Sequence, residues 1–502
     1  MDLLLVLLLF LLLAYSSYKF IAAWTTPNLA SSNLPPGPKP LPLIGNILVL
    51  GELPHKSLHR LSQTYGPIIK LSLGHLTTVV ISSSTLAKEA LQTYDTSFPQ
   101  RFIPDAVTVE GHDRLGLPWV PLSPLFRTLR RIYSMHLFSA KKLEATQDIR
   151  RESVRQLLSH VKECAREGKP VDVGEIAFTT TLNLLSNTVF SVDLVNGHSD
   201  SASGELKELV WNIMAVLGKP NMADYFPLLK RFDPHGSRRL MGLYCRKLTD
   251  LFERMIGERQ KMRAENGRPR KNDVLDVLLD LCENQGEDGI DILLVKHIFL
   301  DVFTAGTDTT SSTLEWAMAE LHRNPEKLQR AREELHQVIG KGQCVEESRI
   351  QSLPYLHAIV KETLRLHPPT PLLLPRKAVK DVRVGGNTIP GGAQVLVNAW
   401  AIGRDPKVWG EDTESFMPER FMGTEMDVKG HDDFGLIPFG GGRRICPGVS
   451  VSMRMLHAML GTLLNNFDWE VVGEGGECLE EKFGITLHKA QPLKALPIPI
   501  PL

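Results

Sequence analysis

Apolar residues fill the start of the chain almost without a break. Every position from Leu3 to Tyr15 is apolar, Lys19 interrupts, and Phe20, Ile21 and Trp24 resume the run. A membrane-spanning helix needs about 20 apolar residues. Leu3–Trp24 supplies that length if the Lys19 ammonium reaches back to the interface. Asp2 precedes the run, so the basic leader of a cleaved signal peptide is missing, and Lys19 and Lys39 lie on its C-terminal side. The positive-inside rule then leaves the rest of the chain in the cytosol. Residues 1–24 are therefore expected to form an uncleaved transmembrane anchor. Five prolines fall between Pro35 and Pro42. Proline fixes φ and lacks an N–H, so residues 25–46 read as a linker ending in a stiff hinge.

Beyond the hinge the pattern changes period. Ile68–Leu73 and Thr78–Ile81 alternate around Gly74 and predict a β-hairpin. Helical spacing dominates Lys142–Gly168, Ile176–Phe190, Leu206–Leu217, Arg238–Glu265 and a long segment, Ile290–Arg323, that stops before Asn324-Pro325. A shorter helix ends near Leu366, because His367 precedes Pro368-Pro369. The run Lys261–Asp273 reads as a solvated loop. After Pro369 the chain turns irregular and richer in strands, with Gly385-Gly386 and Pro390-Gly391-Gly392 at turns. No second linker and no internal repeat appears. The expectation is a mainly α domain with a small β component, residues 47–502.

Composition narrows this little. Of 502 residues, 43% are hydrophobic and 23% charged, and Lys+Arg balance Asp+Glu at 57 each. No basic field exists to hold nucleic acid. The six cysteines include no CxxC pair, which argues against a disulfide framework and a zinc ribbon.

The chemistry concentrates in three stretches. The first is FGGGRRICPG, residues 439–448. A lone thiolate is a soft ligand that can hold haem iron axially. Pro447 suits the first turn of a helix, and the following segment has helical spacing, so Cys446 is expected at a helix N-terminus that favours ionised sulfur. Gly440, Gly441 and Gly442 would let the backbone approach a flat cofactor, and Arg444 could pair with a carboxylate on it. The second stretch is AGTDTTSS, residues 305–312, inside the long helix. Gly306 costs a helix interior roughly 1 kcal/mol against Ala. Ala305 and Gly306 would leave room for dioxygen, while Asp308 and Thr309 are suited to relaying protons. The third is KETLRLHPP, which sets Glu362 and Arg365 three apart. That spacing is weak by itself, since Glu152…Arg155 and Glu346…Arg349 share it.

The first stretch matches F-x-x-G-x-R-x-C-x-G at Phe439, Gly442, Arg444, Cys446 and Gly448, and so resembles the haem-binding signature of the cytochrome P-450 superfamily. AGTDTTSS resembles the A/G-G-x-D/E-T motif of oxygen-activating members, and Glu362/Arg365 with FMPERF, residues 416–421, resembles the family's ExxR and PERF motifs. The resemblance implies a haem domain holding iron protoporphyrin IX through the Cys446 thiolate. Arg444, Arg130 and Arg376 would bind the propionates, and Glu362, Arg365 and Arg420 would buttress the thiolate loop. One position departs: Phe126 stands where the family usually has Trp, leaving an N–H donor to be lost or replaced by Arg127 or another group.

The resemblance extends over nearly the whole chain and points to plant microsomal members that hydroxylate terpenoids, geraniol hydroxylases among them. It implies a substrate pocket of Phe102, Ile103, Val107, Leu300, Phe303, Thr304, Ala305, Leu372, Leu373, Leu374, Ile485, Thr486 and Leu487. No charge stands among these residues, which favours a small hydrophobic substrate over an amino acid. The implied reaction inserts one atom of dioxygen into an allylic C–H bond of a monoterpenol. A diterpenoid, a prenylated phenol or a tyrosine-derived compound are the alternative substrates, and a haem-thiolate isomerase or a membrane-bound haem-binding protein the alternative roles. The chain carries no G-x-G-x-x-G fingerprint and no flavin domain, so electrons would come from a separate NADPH-cytochrome P-450 reductase, with cytochrome b5 a second possible donor. Both would meet the protein on the endoplasmic reticulum membrane.

Overall fold

The computed structural model describes residues 33–195, 201–265, 270–271, 273–283, 289–430, 434–473 and 478–501, with positions 10, 11, 14, 15 and 17 of the N-terminal segment. The expected anchor lies almost wholly outside these residues. No helix among those described is long and apolar enough to cross a membrane.

Helices dominate and the strands are short, as the periodicity predicts. The hairpin forms from Ile68–Leu73 (β1) and Leu76–Ile81 (β2). Gln100–Arg101 (β3), Arg376–Lys377 (β4) and Gln394–Val397 (β5) complete a sheet of order β1-β2-β5-β4-β3. β2 and β5 run parallel, and the other neighbours are antiparallel. The β3–β4 pairing sets Arg101 directly opposite Arg376. The proline-rich segment lies against this sheet: Lys70 donates its N–H to the Pro36 carbonyl at 2.8 Å, and the Asn46 side-chain amide reaches the Pro38 carbonyl at 3.3 Å.

Five helices position the site: Pro124–Ile132 (α1), Val173–Phe190 (α2), Ile292–Arg323 (α3), Pro354–Leu366 (α4) and Val449–Asn466 (α5). Each of α1, α2 and α3 starts on a polar side chain that accepts a backbone N–H: Ser123, Asp172 and Asp291. The two ends of α3 belong to different apolar cores. Leu294–Phe303 packs with α2 and the helix Ser237–Ala264, while Leu314–Leu321 packs with α4 and α5. AGTDTTSS lies between these two cores.

Two helix boundaries differ from expectation. The segment Lys142–Gly168 breaks at Thr146 into Ala140–Ala145 and Gln147–Glu167. Thr146 Oγ1 bonds the Lys142 carbonyl and accepts from Arg150, which also reaches Glu347, and this network holds the kink. The helix after the cysteine begins at Val449, capped by Gly448, so Pro447 precedes it rather than opening it. Helices Pro54–Tyr65 and Pro325–Val338, both with proline in the first turn, were not anticipated from periodicity.

Candidate active site

α3 is buried on nearly all sides, yet Ala305 in its middle is exposed, because a cavity of about 310 Å³ opens against it. Cys446, Phe439, Gly440, Gly441, Arg444, Ile445 and Gly448 form the opposite wall. The cysteine loop is folded back by the Cys446 N–H, which donates to the Phe439 carbonyl at 3.0 Å. Gly442, by contrast, does not line the cavity. Its φ is +67°, and an added Cβ would overlap the Leu91 carbonyl oxygen, so its smallness serves the backbone turn and the close approach of Leu91. Gly306 has a similar second use: an added Cβ would stand 3.0 Å from Leu185 of α2.

Burial raises the Cys446 thiol pKa above its ordinary value, while the Gly448 N–H and the Arg130 guanidinium pull it down. The Gly448 N–H at the N-cap of α5 thus favours ionised sulfur, as expected, but does not by itself overcome burial. A bound metal cation would, since a coordinating thiol gives up its proton. Among the described residues no group of three or more His, Cys, Asp or Glu is placed to hold a bare metal ion. A metal at Cys446 must bring its other ligands with it, as a porphyrin does.

Arg130, Arg376 and Arg444 line the cavity, and so does Arg101, which the sequence did not announce. Arg444 donates to the Pro99 carbonyl at 2.8 Å and the Val120 carbonyl at 2.5 Å, and lies over the Phe126 ring at 4.8 Å. Arg130 donates to the Ile445 carbonyl at 2.7 Å. Arg101 reaches the Leu374 carbonyl at 2.6 Å, and Arg376 the Gly441 carbonyl at 3.2 Å. Burial lowers all four pKa values. Mutual repulsion deepens the fall for Arg101 and Arg444, and the pKa values of Arg376 and Arg444 drop to about 10. Like charges opposite one another across a ladder are destabilising, and Arg101–Arg376 is such a pair, buried. Among the described residues none of the four guanidiniums bonds a carboxylate, although the nearby Asp95 raises the Arg376 pKa, and the two propionates of haem fit that need. Arg127 is exposed and outside the cavity, so it is not placed to supply the donor that Phe126 lacks.

Thr309 lines the cavity and donates from Oγ1 to the Ala305 carbonyl at 2.8 Å. Asp308 points away. It is buried behind α3 with its carboxylate 3.2 Å from His488 Nε2. Burial lowers the His488 pKa, but Asp308 and Glu315 outweigh it, and the net shift is upward.

Of the expected substrate-pocket residues, Val107, Leu300, Thr304, Ala305, Leu373, Leu374 and Ile485 line the cavity. Phe102 and Leu372 instead line an adjoining cavity of about 180 Å³ beside the sheet. Ile103 lines neither. Phe303 faces Phe190 and Phe252 in the α2–α3 core, because its position on α3 turns it off the open face. Thr486 and Leu487 are buried, and the Leu487 carbonyl accepts from Ser312 and Trp316. His112 and Asp301 line the cavity as well, so its wall does hold charge-bearing groups.

Glu362, Arg365 and Arg420 come together outside the cavity. Arg365 donates to both Glu362 oxygens at 2.6 and 2.7 Å and to the carbonyls of Gly403, Thr413 and Ser415. Arg420 Nε stands 3.5 Å from Glu362.

A family model for cytochrome P450 matches residues 35–495. The chain belongs to the cytochrome P450 family. It is 49% identical over 495 residues to a geraniol 8-hydroxylase of Catharanthus roseus, covering 98% of both chains. It is 48% identical to a drimenol monooxygenase of Persicaria hydropiper, over 93% of this chain and 92% of the relative. A geranylhydroquinone 3''-hydroxylase of Arnebia euchroma is 46% identical over 94% of this chain and 95% of its own. This P450 is thus a haem-thiolate monooxygenase that works with dioxygen and a redox partner.

Proposed function

We propose that this P450 hydroxylates a small prenyl alcohol, with geraniol as the leading substrate, at an allylic carbon. The observation that carries the reading is the cavity between Cys446 and α3, whose wall over Ala305 is mostly apolar: Val107, Leu300, Leu373, Leu374 and Ile485. Such a wall orients a hydrocarbon by shape and leaves few polar groups to fix its register. The named activity of the Catharanthus roseus and Swertia mussotii relatives, geraniol 8-hydroxylase, favours a monoterpenol.

Cys446 would hold the haem iron, and Arg101, Arg130, Arg376 and Arg444 its carboxylates. The haem, when bound, supplies the activation of dioxygen. The chain supplies the rest. The apolar wall positions the substrate and excludes water. Thr309 holds a proton at Oγ1 on the cavity face, and Asp308 pairs with His488 behind it. Electrons would come from an NADPH-dependent P450 reductase, with cytochrome b5 an auxiliary donor. The N-terminal segment would anchor the protein to the endoplasmic reticulum membrane with the catalytic domain in the cytosol.

The deciding experiment reconstitutes the full chain with reductase and NADPH and reads products of geraniol, nerol, an abietane-type diterpene and tyrosine by mass spectrometry. A hydroxylated monoterpenol is the expected product, and turnover of the diterpene or tyrosine alone would overturn the reading. Cys446→His should abolish the red-shifted Soret band of the reduced carbon monoxide complex. Thr309→Ala should uncouple NADPH use from product formation, and full coupling in that variant would remove Thr309 from the proton path.

A further inference from the structure

One group of titratable side chains in the cavity wall has no part in holding haem or in the Thr309 path. Asp301 of α3 accepts the Leu117 N–H at 2.8 Å and the Tyr133 hydroxyl at 3.4 Å, both on Oδ2. Its Oδ1 stands 3.2 Å from His112 Nε2. His112 Nδ1 is 2.9 Å from His297 Nδ1, and the His297 ring also bonds the Glu110 backbone.

The hydrogen bonds fix where the protons are. Burial, and His112 next, lower the His297 pKa to about 4, so its ring is neutral. Its Nε2–H serves the Glu110 carbonyl, which leaves Nδ1 as an acceptor. His112 must then donate from Nδ1. His112 Nε2 lies against Asp301 Oδ1 and so helps to hold the carboxylate in place. Oδ2 accepts the Leu117 N–H, and the Tyr133 hydroxyl divides its one proton between Oδ2 and the Ile298 carbonyl at 3.3 Å, while Oδ1 has His112 Nε2 beside it and keeps acceptor capacity. Asp301 is 6% exposed and His112 13%, and both line the cavity.

We propose that Asp301, oriented by His112, is the specificity anchor of this P450, accepting a hydrogen bond from the hydroxyl of an alcohol substrate. This rests on the reading that the substrate is a prenyl alcohol. Asp301, Ala305 and Thr309 follow at i, i+4 and i+8 and all line the cavity, so they share one face of α3 with roughly 6 Å between steps. A substrate held by its hydroxyl at Asp301 runs its hydrocarbon end over Ala305 toward Thr309. Oxidation then falls on carbons remote from the alcohol. The ether or hydrocarbon analogue leaves that acceptor capacity at Oδ1 unmet in the cavity wall, and a buried acceptor without a donor is costly.

The test compares alcohols with their own methyl ethers on the purified full-length holoenzyme, binding being read by the substrate-induced Soret shift and by calorimetry. Geraniol, drimenol and geranylhydroquinone are each paired with the corresponding ether. The wild type is expected to prefer at least one alcohol by about tenfold or more. In Asp301→Asn the amide oxygen keeps the Leu117 bond and turns an NH₂ donor toward the cavity. The preference should fall to about onefold, by loss of alcohol affinity, with the thiolate Soret band intact. If that variant takes up no haem, His112→Gln replaces it and should also reduce the ratio. Equal binding of alcohol and ether in all three pairs, binding of none of them, or a ratio unchanged in the variants would overturn the anchor. If geraniol is not oxidised but another alcohol shows the ratio and its loss, the anchor stands and the monoterpenol reading falls.

Discussion

Two groups of buried arginines in this protein solve the problem of burying charge in opposite ways. Around Arg365 every donor is spent. Its five N–H groups go to the two Glu362 oxygens and three backbone carbonyls, and both side chains are wholly buried. Around the cysteine, the hydrogen bonds of Arg101, Arg130, Arg376 and Arg444 go to carbonyls and, among the described residues, none to a carboxylate, and burial and then mutual repulsion lower the pKa values of Arg101 and Arg444. The first group is complete in the protein alone and so belongs to the architecture. The second is left without a carboxylate partner, which suits it to the anionic cofactor proposed above. An incomplete buried charge is informative about function in a way that a complete one is not.

The sharpest way to break this contrast is Arg365→Ala. It strands a buried carboxylate, and removal of one partner of such a pair costs about 3–5 kcal/mol. The apoprotein's urea midpoint should fall accordingly, and no holoenzyme should be recovered. Arg376→Gln or Arg444→Gln should act on the other side only. Haem transfer to a scavenger protein should quicken by about tenfold, from loss of a charge-assisted hydrogen bond, while the apoprotein midpoint stays nearly unmoved. A large fall in that midpoint would show that these arginines are structural after all. A smaller effect is expected from Phe126→Trp. An indole keeps a face for Arg444, now 4.8 Å from the phenyl centroid, and adds an N–H. Haem loss should slow by roughly two- to threefold. The smallest is Glu152→Ala. Its pair with Arg155 has the same spacing as Glu362–Arg365, but the groups are 3.9 Å apart and more than half exposed. Unfolding should stay within about 0.5 kcal/mol of wild type.

That last pair marks the limit of what spacing can say. Glu-x-x-Arg occurs on an exposed helix face at Glu152 and in the core at Glu362, and the local sequence does not distinguish them. The resemblance did, by adding PERF, and the fold supplies the reason: the carbonyls of Gly403, Thr413 and Ser415 arrive from nearly forty residues and more downstream. Arg101 was missed for a related cause. Nothing in Pro99-Gln100-Arg101 signals a place in the cavity wall, and that place follows only from the β3–β4 register that sets Arg101 against Arg376. Asp301 and His112 were missed because an acidic residue at helical spacing reads as solvated surface until the cavity is seen to run alongside it.

By itself the sequence determined the helices with strong apolar period, the hairpin around Gly74, the cysteine proposed to take the haem iron and the threonine set in the middle of the long helix. These depend on neighbours a few residues apart, and local physics suffices for them. The tertiary structure alone decided which of the expected pocket residues face the cavity, that Asp308 turns to His488 while Thr309 faces inward, and that four arginines and a His–Asp pair share one enclosed space. Those facts depend on which side of an element is buried and against what, and residues far apart in the chain settle that together.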